Sequence, residues 1–80
     1  MVNIDRQIDR VKAIIEERRG AYGDPGKMFG QIAKRWGCRE TEVALRMADL
    51  KLARLTHGSW SDDSAIDAIA YLLFALEFDD

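Results

Sequence analysis

The chain has one cysteine, one histidine and one proline among its 80 residues. A single cysteine, Cys38, excludes an internal disulfide framework and suits a reducing cytosol. With so few soft donors there is no zinc pattern, and neither a phosphate-cradling glycine loop nor a serine triad is present. No apolar run reaches the roughly 20 residues that cross a bilayer. The longest, Ala65 to Leu76, is short and is broken by Asp67. The first residues carry Asp5, Arg6, Asp9 and Arg10 and do not read as a secretory leader. A cytoplasmic protein without a membrane segment is the expectation.

Basic residues are missing from the whole C-terminal part. All twelve Lys and Arg lie between Arg6 and Arg54, against eight acids up to Asp49. After Gly58 there are six acids and no base: Asp62, Asp63, Asp67, Glu77, Asp79 and Asp80. The overall charge of −2 therefore hides two halves that attract if the chain folds back on itself. The acidic end also argues against a protein that coats nucleic acid.

What is present is helical periodicity. Ile4, Ile8, Val11 and Ile15 recur at helix spacing, Asn3 can cap the start and Gly20 reads as a stop, so a first helix is expected over Ile4 to Arg19. Gly20 to Lys27 reads as a loop, holding three glycines and the only proline. Within it Tyr22 is either a lid over the core or an exposed contact. Asp24-Pro25 fits an N-cap followed by proline at the first helical position. A second helix over Pro25 to Trp36 follows, with Met28, Phe29, Ile32 and Trp36 on the core face and Gly37 as its stop.

The third helix opens at Glu40 or Thr41 and the fourth is capped by Ser61, Asp62 or Asp63, with the turn His57-Gly58-Ser59-Trp60-Ser61 between them. His57 reads as a C-terminal residue favoured by the helix dipole. On the third helix Val43, Ala44, Met47, Ala48, Leu50 and Leu55 fill an apolar arc, and Lys51 and Arg54 fall inside it. On the fourth, Asp63, Asp67 and Tyr71 are spaced four apart on a helix otherwise apolar on every side. Cations inside an apolar arc are rarely left bare. Lys51 and Arg54 are expected to meet Asp63 and Asp67 beside Tyr71, as an ion-pair network or, alternatively, an anion site. A helix apolar all round needs cover that three short helices can hardly supply, which predicts a second copy or another protein against helix four.

Several motifs together resemble a known family. Arg19-Gly-Ala-Tyr-Gly-Asp-Pro, then Phe29 and Trp36, then Lys51-Leu-Ala-Arg-Leu-Thr-His-Gly58, then Asp63-Ser-Ala-Ile-Asp-Ala-Ile-Ala-Tyr71 look like small uncharacterised bacteriophage and prophage helical proteins. The resemblance spans about Arg18 to Glu77. It implies an accessory protein of a mobile genetic element, and it implies no reaction.

The expected architecture is one all-α domain of four helices in two hairpins. The leading functional expectation is a non-enzymatic protein that binds a host protein complex, plausibly as an inhibitor of a defence complex such as a CRISPR effector. That target follows from the resemblance alone. Tyr22, Trp60, Asp62, Asp63, Glu77, Asp79 and Asp80 are its candidate contacts, with Trp60 as anchor, since acids can occlude a basic channel. No catalytic residue, metal ligand or cofactor is assigned.

Two alternatives stand beside it. Helix four is partly similar to that of MazG-type pyrophosphohydrolases, all-helical proteins that hold Mg²⁺ with carboxylates. The usual Glu-x-x-Glu of a preceding helix is missing: Glu16 and Glu17 are adjacent, and Glu42 is followed three later by Leu45. A nucleotide-binding protein is the related reading. The third reading is a helix-turn-helix over Ile32 to Val43, offering Arg39, Thr41, Glu42 and Arg46 to DNA.

Overall fold

The computed structural model describes residues 2–79, with the side chain of Tyr22 excepted. Asp80 and the Tyr22 side chain, both candidate contacts, lie outside what is described. The chain is all-α: α1 spans Ile4–Tyr22, α2 Pro25–Trp36, α3 Glu40–His57 and α4 Asp62–Phe78.

Local chemistry sets each boundary. The Asn3 side chain accepts from the Arg6 N–H and opens α1. Helix one passes through Gly20 and ends three residues later than the glycine spacing suggests. A helical glycine costs only about 1 kcal/mol, whereas Gly23 adopts φ +78°, closed to most side chains, and turns the chain there. The Gly23 N–H donates to the Arg19 carbonyl at 3.0 Å. The expected eight-residue loop thus shrinks to Gly23 and Asp24. The Asp24 carboxylate accepts from the Gly26 N–H at 2.9 Å, Pro25 takes the first position of α2, and Gly37 ends it with φ +69°. The Ser61 hydroxyl accepts from the Ser64 N–H and opens α4.

α3 and α4 form a hairpin and pack together more extensively than any other pair. Ala44 and Ala48 on α3 and Ala68 and Ala75 on α4 are buried. α2 rests on α3 and α1 on α4. The result is two small clusters. One joins Val11 of α1 to Ile66 and Ala70 of α4, with Ile14 and Ile15 alongside. The other joins Phe29, Ala33 and Val43, with Phe29 edge-on to the rings of Tyr71, Phe74 and Phe78.

Ile4, Ile8 and Met28, expected on core faces, are exposed, and Trp36 and Leu50 also stand out from the core. Trp36 is 46 % exposed, its ring under the Arg46 guanidinium at 5.6 Å. Leu50 is also half-exposed. Trp36 and Leu50 share a reason: α1 lies on α4, so nothing covers the far side of α2 and its neighbouring stripe of α3. The molecule measures 43 × 28 × 24 Å, and among the described residues no helix is long and apolar enough to cross a membrane.

Candidate functional site

The charge asymmetry of the sequence is realised in the fold. Among the described residues four ion pairs tie the basic part to the acidic end: Arg10–Asp62, Arg18–Asp67, Lys51–Asp67 and Arg39–Asp79. The second and third meet on one buried carboxylate. Asp67 Oδ1 is 2.7 Å from Arg18 Nη2, and Oδ2 is 3.1 Å from Lys51 Nζ. The Asp67 side chain is 7 % exposed and that of Lys51 15 %, while Arg18 reaches solvent at 42 %. One carboxylate thereby joins three helices, α1, α3 and α4.

The network differs in membership from the expected one. Lys51 and Asp67 meet as their positions on facing helix stripes suggest. Arg54 and Asp63 are exposed and stand outside the pair. The missing member is Arg18, which follows Val11 by seven residues and so continues the buried stripe of α1. That spacing was a readable signal of an arginine aimed at the interior.

Beside this triad a cleft of about 440 Å³ opens between α1, α2 and α4, with Met47 of α3 also lining it. Its walls are apolar, built by Ile14, Ile15, Met28, Phe29, Tyr71 and Phe74, with Gly23 and Pro25 at one edge. Arg18 and Arg19 are its charged lining residues. Arg19 also pairs with Glu16 at 3.0 Å on the exposed side of α1. Burial pushes the Tyr71 phenol above its ordinary range; Arg18 opposes the shift, Asp67 adds to it and Arg54 opposes it. Tyr71 is thus held neutral, as a donor at the cleft wall.

The other candidate contacts sit elsewhere. Trp60 is 70 % exposed in the α3–α4 turn. Its Nε1–H donates to Asp62 Oδ1 at 2.6 Å, and Arg10 donates to Oδ2 at 3.0 Å. The Trp60 hydrogen bond, then that of Arg10, hold the Asp62 carboxyl below the usual carboxylate range. Asp62 and Asp63 begin α4 while Glu77 and Asp79 lie at its end. Seventeen helical residues separate the two pairs by roughly 25 Å, so these acids form two small groups at opposite ends of one helix.

Three of the four residues of the helix-turn-helix reading have partners within the chain. Arg39 approaches Glu42 at 3.9 Å and Asp79 at 3.7 Å, and Arg46 lies over Trp36. Among the described residues no three His, Cys, Asp or Glu side chains converge as a metal cluster.

A family model, that of a domain of unknown function (DUF6378), matches residues 6–79. No curated protein and no solved structure matches the chain.

Proposed function

The chain belongs to the DUF6378 family, and we propose that it acts by binding, its ligand a small molecule with a flat apolar body and an anionic group. A nucleotide is the class that fits. The observation that carries this is the cleft between α1, α2 and α4. Its volume falls in the range of small-molecule sites, and its lining is apolar with a few placed polar groups. The half-buried rings of Tyr71 and Phe74, backed by the buried Phe29, offer a surface for a planar group. Arg18 and Arg19 offer forked donors to a phosphate or carboxylate. The charge of the lining also favours an anion: both of its charged residues, Arg18 and Arg19, are basic.

The same triad favours binding over metal-dependent hydrolysis. A magnesium-holding aspartate needs free oxygen lone pairs. Both Asp67 oxygens already face cations, and displacing Lys51 would strand a buried ammonium.

Titration calorimetry with nucleoside mono- and triphosphates tests the reading. Saturable binding is expected, weakened by Arg19→Glu and abolished by Met28→Trp, which fills the cleft. Absence of binding across the nucleotide set would refute it, and turnover of a nucleoside triphosphate with Mg²⁺ would replace it with the pyrophosphohydrolase reading.

One observation favours a second reading, a host protein partner. Trp60 is a large exposed aromatic at the end of the hairpin, with acidic Asp62 and Asp63 beside it. As the phage resemblance implies, the partner would be a host complex such as a CRISPR effector. Capture of one defined host complex, lost with Trp60→Ala, supports this reading. Unchanged capture by that variant counts against it.

A further inference from the structure

The α3–α4 hairpin is covered on one side only. Toward α2, α4 presents Tyr71, Phe74 and Phe78. On the opposite side Ile69, Leu72, Leu73 and Leu76 are exposed, Leu76 at 71 %. At 3.6 residues per turn these four project within an arc of about 100°. α3 contributes Leu45 and Leu52, seven apart and likewise exposed. Both stripes border the α3–α4 seam on the side away from α1 and α2. Between Asp67 and Glu77, α4 carries no charge at all.

We propose that a second copy of this chain covers this face, the two hairpins stacking into a four-helix bundle about a two-fold axis. Three observations point to self-association rather than a different partner. The first is area. The six side chains expose on the order of 500 Å² of aliphatic surface, at the upper end of what a monomer tolerates. An ordinary interface takes about 800 Å² from each partner, and between identical chains about 65 % of it is apolar, again about 500 Å². The second is self-complementarity. A two-fold interface sets one patch against itself, which a charge-free aliphatic face allows. The acids fall at its margins, Asp49 beside Leu45 and Leu52, and Asp62 and Glu77 at the two ends of the α4 stripe.

The third is the monomer itself. Most of its buried apolar positions are alanines, namely Ala33, Ala44, Ala48, Ala68, Ala70 and Ala75. Its radius of gyration of 13.2 Å exceeds the roughly 11.6 Å expected for 80 residues. The fold is drawn out like half of a bundle, with its larger side chains on the outside. Because α3 and α4 approach through small residues, their outer face is flat enough to stack, as in other four-helix bundles.

Light scattering coupled to size exclusion, run on the full chain from low to high micromolar concentration, tests this. Twice the chain mass is expected, falling to the chain mass on dilution. Leu72→Glu with Leu76→Glu should give a monomer with unchanged helical circular dichroism. Hydrogen exchange of the wild-type chain serves where the variant fails to fold. Residues 45–52 and 69–76 should exchange more slowly at high concentration than at low, with α1 unaffected. A wild-type chain of monomer mass across the range, a dimer indifferent to both substitutions, or residues 45–52 and 69–76 left unprotected at every concentration would each overturn the proposal. So would a monomer that takes up this face only with a different protein. The cleft lies on the other side of the hairpin, so nucleotide titration of the monomeric variant separates failure here from failure of the ligand reading.

Discussion

Asp67→Ala is the substitution that most directly probes how the helices are held. It removes the carboxylate shared by Arg18 and Lys51. Breaking a buried pair by deleting one partner costs about 3–5 kcal/mol, because the remaining charge stays desolvated. The Arg18 share is smaller, since its side chain is partly solvated and swings into water, where such pairs are screened. The cost therefore falls on Lys51, and a loss of about 2–3 kcal/mol is expected. For a chain of this length that lowers Tm by roughly 10–20 °C. It is also a large share of the roughly 4–12 kcal/mol available to 80 residues.

Urea unfolding followed by circular dichroism measures it, with Lys51→Met/Asp67→Leu as the companion. Replacing both charges by apolar groups leaves no buried ion behind, so the double variant should lie within about 1 kcal/mol of the wild type. A loss below about 0.5 kcal/mol for Asp67→Ala, or a double variant worse than the single one, would refute the reasoning.

Four further outcomes follow from the same geometry. Phe29→Ala removes the ring around which Tyr71, Phe74 and Phe78 are arranged and should cost about 3–5 kcal/mol by urea unfolding. Gly23→Ala forces an ordinary residue into φ +78°, ψ −149° and should destabilise by about 1–3 kcal/mol. Gly20→Ala, inside α1 with open space around the added methyl, should stabilise by about 0.5–1 kcal/mol in the same assay. Asp62 has a lowered folded pKa, so its contribution is present above the unfolded pKa and lost as pH falls through the folded one. In a Trp36→Phe background, Trp60 fluorescence should change below the usual carboxylate range, and Asp62→Asn should flatten that change.

The helices were largely legible because their punctuation is local. Asp24-Pro25, Gly37, Gly58 and Ser61 act on their own neighbours, and each boundary falls where those residues place it. Gly20 misled because two glycines compete to end α1, and the choice rests on which of them adopts positive φ. The Lys51–Asp67 pair was readable from two charges in two apolar stripes. Arg18 continues the Val11 stripe seven residues on, a readable spacing, but nothing local says that this stripe meets Asp67 of α4. Spacing alone points Trp36 to the core, and spacing does not say whether α1 lies over α2 or over α4. The cleft was not legible at all, since it belongs to the gap between three elements rather than to any one of them.

The manner in which α1 is attached has a kinetic consequence. It touches the body through Val11, Ile14 and Ile15 against Ile66 and Ala70, and through the Arg10–Asp62 and Arg18–Asp67 pairs. Gly23, directly below it, is the natural pivot. A helix held by so thin a seam detaches at less cost than the hairpin core. Because α1 carries one wall of the cleft, each detachment is also a doorway. A guest that grips Arg18 and Arg19 would latch that doorway behind itself, slowing its own departure and quietening the amide exchange of the first helix.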